Sequence, residues 1–161
     1  MWLNPSGGKV RYDSGGFGNF GASRDSGARS HSGLDITANP GQGICLPTDA
    51  QYRRKMRVYQ STAHYTGMEF EVGPWLLLQI LYVEPVVDHM HRGTAGEWVA
   101  TAQDIAERYG GDMKNHIHVA VILKKMTAMI KGGNTWNASD IYINPKIFFP
   151  DIEDDHGKEY R

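Results

Sequence analysis

The strongest pattern in the chain is His116–Leu123, where polar and apolar positions alternate and then give way to Val and Ile. A period of two with β-branched side chains predicts a strand. Residues 53–59 and 68–72 read as further extended segments, and residues 75–83 are apolar at consecutive positions, as in a strand covered on both faces. Shorter strands are predicted at 34–36, 44–46 and 97–100, and Ile141-Tyr142-Ile143 leads into Asn144-Pro145. Asn39-Pro40-Gly41 and Gly73-Pro74 mark turns. Two segments stay open: 102–109, closed by Gly110-Gly111, reads as one helical turn or two, and 124–131 as a short helix or a strand extension. Residues 1–33 are rich in Gly and Ser, with Phe17 and Phe20 as apolar anchors, and predict an ordered loop of the kind that lines a site. The pattern predicts a mainly β protein, an antiparallel sheet or sandwich with short helical segments.

Length sharpens this picture. A chain of 161 residues suits one compact domain. With 40% hydrophobic and 22% charged residues it has the composition of an ordinary folded protein. The acidic stretch 151–155 and the residues after it, up to 161, read as a solvated tail. A net charge of -1 and a pI of 6.6 provide no basic field for phosphates, which argues against a nucleic-acid partner. The local run Arg53, Arg54, Lys55 and Arg57 reads as a solvated strand face.

Cys45 stands alone, which excludes an internal disulfide and a cysteine-rich zinc module, and between Ile44 and Leu46 it reads as a small core residue. Any metal must be held by His and carboxylates. No basic segment followed by an apolar stretch opens the chain, and the longest apolar run is interrupted by Gln79 and too short to span a bilayer. The expectation is synthesis in the cytoplasm without a visible export address and without a membrane segment. A substrate outside the membrane then requires delivery by another system.

Seven histidines are present, and two groupings have useful spacing: His31-Ser32-Gly33-Leu34-Asp35 and His116-Ile117-His118. Residues two apart on a strand share a face about 7 Å apart, so His116 and His118 are predicted to face one space. Full extension would separate His31 and Asp35 by about 13 Å, so convergence requires Ser32-Gly33 to fold back, and Gly33 has the backbone freedom for it. Two histidines and an aspartate are good zinc ligands that leave a fourth tetrahedral position open, the arrangement of hydrolytic zinc sites. Each pair also has a plain reading as histidines bonded locally, as does His89-Met90-His91.

The stretch Ser30-His31-Ser32-Gly33-Leu34-Asp35-Ile36 resembles the His-x-Gly-hydrophobe-Asp motif of the lysostaphin-like metallo-endopeptidases, and Asn115-His116-Ile117-His118-Val119 resembles their downstream His-x-His motif. Gly18 to Arg24 and Arg29 are similar to the family's lead-in loop, Ile44 to Asp49 to the strand after the first motif, and Tyr142-Ile143-Asn144-Pro145 to the strand that closes the fold. The resemblance runs over residues 15–150. It implies the family's β fold, Zn2+ held by His31, Asp35 and His118, a catalytic role for His116, and the peptides of bacterial peptidoglycan as substrate.

One position departs from the family pattern. Active members usually carry a further histidine at the end of the central strand, where this chain has Glu84. The same region is similar to leukocyte cell-derived chemotaxin, a vertebrate relative without an established peptidase role. Two expectations follow: a zinc endopeptidase in which Glu84 takes a proton from water, or a zinc-stabilised binding module without turnover. A structural component of a phage or secretion assembly is compatible with either.

Overall fold

The computed structural model describes residues 1–58, 65–109, 112–124 and 141–155. Two short hairpins open the chain, β1 (Tyr12–Asp13) with β2 (Gly16–Phe17) and β3 (Ser23–Arg24) with β4 (Arg29–Ser30). Then follow β5 (Leu34–Thr37), β6 (Gly43–Cys45), β7 (Ala50–Val58), β8 (Tyr65–Val72), β9 (Leu76–Leu81), β10 (Val83–Pro85), β11 (Arg92–Gly93), β12 (Trp98–Ala102), α1 (Ala106–Tyr109), β13 (His116–Leu123) and β14 (Ile141–Ile143).

The large sheet runs β11-β7-β8-β9-β13-β14, and β5 also pairs with β13. Strand β13 is its spine: all but the last of its residues are buried. On one side it faces β9; on the other it faces β5 with its first half and β14 with its second, all antiparallel. A small sheet, β10-β12-β6, packs on this one. Val83, Val99 and Ile44 from the small sheet and Phe70, Leu78, Ile80, Val119 and Val121 from the large one share one core. The mainly β, antiparallel architecture is the one that the hydrophobic pattern predicts.

Two details differ from that reading. The apolar run 75–83 is split at Tyr82, whose φ of 66° is in the left-handed region, so β9 and β10 belong to different sheets. Such a turn in a bulky residue costs about 1–2 kcal/mol and is held here by backbone bonds, Tyr82 N donating to Thr66 O and Tyr82 O accepting from Gln103 N. The acidic stretch 151–155 is no solvated tail: Ile152 is in the core, Asp154 forms a bridge to Val10, and Asp155 pairs with Lys114. The open segment 102–109 ends in the one-turn helix α1, while 125–131 lies outside the described residues. Among the described residues no helix is long and apolar enough to cross a membrane.

Candidate metal centre

Register brings the two motifs together. Asp35 on β5 is paired directly with His118 on β13, so both side chains leave the same face of the sheet. His31 arrives from the loop after β4, pinned by its N–H to Ala22 O and by Gly21 N–H to its own carbonyl, each at 2.8 Å. The required fold-back is present. Its reason at Gly33 is space rather than angle, since Gly33 does not have a positive φ. A Cβ there would stand 2.4 Å from Val119 O and 2.7 Å from His118 Nε2, so only glycine lets the loop lie against β13.

The result is a triangle of donor atoms. His31 Nε2, His118 Nδ1 and Asp35 Oδ1 lie 3.0 Å from one another along all three edges, and all three residues are buried. A tetrahedral zinc ion about 2.0–2.1 Å from each ligand separates its ligands by about 3.3 Å. The triangle thus has to open by only about 0.3 Å to hold such an ion. The tautomer of His31 suits this use: Nδ1 donates to Asn19 O at 2.9 Å, which leaves Nε2 for the metal.

A second set of contacts fixes the carboxylate. Asp35 Oδ2 accepts from Arg11 Nη2 at 3.0 Å and Arg24 Nη2 at 3.2 Å, while Arg11 Nη1 is held by Asp13. Oδ1 is therefore the atom presented to the triangle. Burial alone would raise the Asp35 carboxyl, but hydrogen bonds with His118 and His31 and the nearby His116 hold it well below the usual carboxylate range. Arg11 Nε is a buried side-chain polar atom without a partner among the described residues, which shows how far the guanidinium is committed to its two carboxylates.

His116 stands beside the triangle, its Nε2 3.7 Å from Asp35 Oδ2. Nδ1 donates to Lys114 O at 2.8 Å, so Nε2 carries the lone pair. Burial lowers its pKa more than Asp35 raises it, and the ring is neutral at neutral pH. The ring of Tyr82 meets it edge-on, with centroids 5.5 Å apart and planes at 86°. Tyr82 was not a candidate from the sequence, where it lies inside the apolar run 75–83 with nothing to set it apart.

These residues line a cleft of about 640 Å³ whose walls include Arg24 and Arg29 from the lead-in hairpin and Met56, Arg57 and Val58 from β7. Glu84 is not brought to it. Its carboxylate, half exposed on β10, accepts from Thr66 Oγ1 at 2.9 Å and pairs with Lys55, and these partners hold it ionised. The expectation that Glu84 takes a proton at the metal is not met by this geometry, because the strand turns at Tyr82 and carries Glu84 into the small sheet. His89 and His91 also lie elsewhere, bonded to Arg53 O and Glu97.

No family model and no curated protein matches the sequence. Solved structures do. The structure of LytU superposes with a TM-score of 0.62 at 18% identity, over 93% of this chain and 90% of that one. The catalytic domain of the antimicrobial peptidase lysostaphin from Staphylococcus simulans gives 0.58 at 14% identity, over 89% and 92%. The chain has the lysostaphin fold. A zinc-containing peptidase from Vibrio cholerae also matches, with a TM-score of 0.52 at 17% identity over 76% of this chain and 37% of that one. Within the lysostaphin fold, the present chain puts its His-Asp-His triangle where β5 and β13 pair.

Proposed function

We propose that this protein is a zinc-dependent endopeptidase that hydrolyses peptide cross-links of bacterial peptidoglycan. The observation that carries the reading is the 3.0 Å donor triangle of His31, Asp35 and His118 with the lone pair of His116 beside it in one cleft. The zinc-containing peptidase among the similar structures supports the choice of metal, and the resemblance of the two motifs supports the substrate. Delivery to the wall, or a place in a phage or secretion assembly, belongs to the same proposal.

Zinc bound by His31, Asp35 and His118 supplies Lewis-acid polarisation of the scissile carbonyl and acidifies water. The chain's own residues do the rest. Arg11 and Arg24 hold Asp35 in one orientation, and Asn19 O holds the tautomer of His31. His116, neutral and fixed through Lys114 O, accepts a proton at Nε2 during attack and returns it to the leaving amine. Tyr82 packs against the His116 ring and keeps it facing the cleft.

The test couples metal analysis to digestion of purified peptidoglycan, read by mass spectrometry. The parent protein carries one zinc per chain and releases cleaved peptides. His31→Ala, Asp35→Ala and His118→Ala each lose the metal; His116→Ala keeps it and loses about 100-fold or more of the turnover. Full zinc occupancy in all three ligand variants rules out the ligand set.

The commitment of Glu84 to Lys55 and Thr66 favours a second reading, a zinc-stabilised binding module without turnover, because of the two candidate bases named from the sequence only His116 lines the cleft. A zinc-loaded parent that binds peptidoglycan and releases no product establishes it.

A further inference from the structure

Strand β7 carries four cations within five positions, Arg53, Arg54, Lys55 and Arg57. Three of them have a carboxylate partner. Arg53 pairs with Glu71, Arg54 holds Glu69 through Nε and Nη2 at 2.9 and 3.1 Å, and Lys55 pairs with Glu84. Arg57 forms no ion pair among the described residues, and the residue opposite it on β8 is the uncharged Thr66. It alone of the four lines the cleft.

The other cations of the cleft are committed. Arg11 and Arg24 hold Asp35, and Arg29 holds Asp25 at 3.0 Å. Among the described residues the cleft therefore offers one uncommitted positive charge, on a side chain whose planar fork matches a carboxylate bidentately. A solvated strand face accounts for three of the cations and not for the fourth.

We propose that Arg57 is a substrate-binding residue that holds a carboxylate of the peptide whose amide lies at the His31–Asp35–His118 centre, which makes acidic peptides the preferred substrates. This rests on the peptidase reading for the position of the amide. The carboxylate comes from the peptide's C-terminus or from an acidic side chain, and the two sources present the same group to the guanidinium.

Three forms of one cross-link peptide separate these sources: both carboxylates free, the C-terminus amidated, and the side chain amidated. Steady-state cleavage by the zinc-loaded protein gives KM and kcat for each, and calorimetry on zinc-loaded His116→Ala gives Kd without turnover. Amidation of the recognised carboxylate raises KM and Kd about tenfold in the parent background, the size expected for loss of a charge-assisted hydrogen bond. In Arg57→Gln the same amidation changes them less than twofold, and Arg57→Lys, which keeps a point charge, is intermediate. Whichever amidation produces the effect identifies the source.

The proposal is overturned if neither amidation changes KM or Kd more than twofold, if the discrimination survives in Arg57→Gln, or if no form of the peptide binds. Cleavage of all three forms with equal KM leaves the peptidase reading standing and removes this one. Binding that discriminates the carboxylate in the absence of any cleavage keeps Arg57 as the carboxylate-binding residue and overturns its role in choosing a substrate together with the peptidase reading.

Discussion

At the scale of single residues, the centre depends on what is absent at position 33. A methyl group there meets a backbone carbonyl at 2.4 Å and the His118 ring at 2.7 Å, and the carbonyl cannot move without disturbing β13. Gly33→Ala should cost about 1–3 kcal/mol of stability, as overpacking does, and weaken zinc binding. Thermal denaturation and chelator competition measure the two; unchanged values in both would show that the loop relaxes freely. The convergence of His31, Asp35 and His118 was legible in the sequence because each half of the centre is a short local motif, with His31 and Asp35 four apart and His116 and His118 two apart. Arg11, Tyr82 and Arg57 were not legible. Each reaches the cleft only through strand pairing or a turn, and nothing in their local spacing marks them out. Glu84 shows the converse error: one residue in the left-handed region upstream was enough to take it out of the site.

At the scale of elements, β13 carries most of the structure's dependence. Ile117, between the two histidines, is fully buried in the shared core. Ile117→Ala should destabilise the protein by about 2–5 kcal/mol, seen as a lower urea midpoint with an unchanged slope. Ile147, at 64% exposure, provides the control, with an expected change within about 0.5 kcal/mol. A small effect at Ile117 would mean that the core closes over the cavity. The strand itself was legible to the residue, because alternation and β-branching coincide there. The split between β9 and β10 was not: a run that is apolar at every position has no phase, so a change of sheet within it leaves no mark in the pattern.

At the scale of the molecule, burial of the centre ties stability to pH. The folded-state pKa of His116 lies below its ordinary value of 6.5, so between the two values the unfolded chain binds more protons than the folded one. Stability of the metal-free protein should therefore be fully present above about pH 7 and decline as pH falls through 6.5. Asp35, depressed from 3.8, adds a second loss below that value. Melting temperatures from pH 8 to pH 4 in the presence of a chelator check this; a flat profile between pH 7 and pH 5 would contradict it. The mainly β character was legible from the pattern. The docking of 151–155 was not, since acidic residues around one Ile look the same in a tail as in a bridge to Val10.

The centre also joins distant parts of the chain. Asp35 and His118 are 83 residues apart and His31 and His118 87 apart, so their meeting closes two of the long loops of the fold. Contacts of such separation carry a large loop-closure cost and are expected to form after the short-range pairings of the β7–β9 meander. An ion held there has no complete set of ligands to grip while the chain is still assembling. It cannot act as a seed for folding. Its contribution falls on the reverse reaction, as a clasp that must open before the strands can part, so a loaded molecule folds no faster than an empty one and lasts longer once folded.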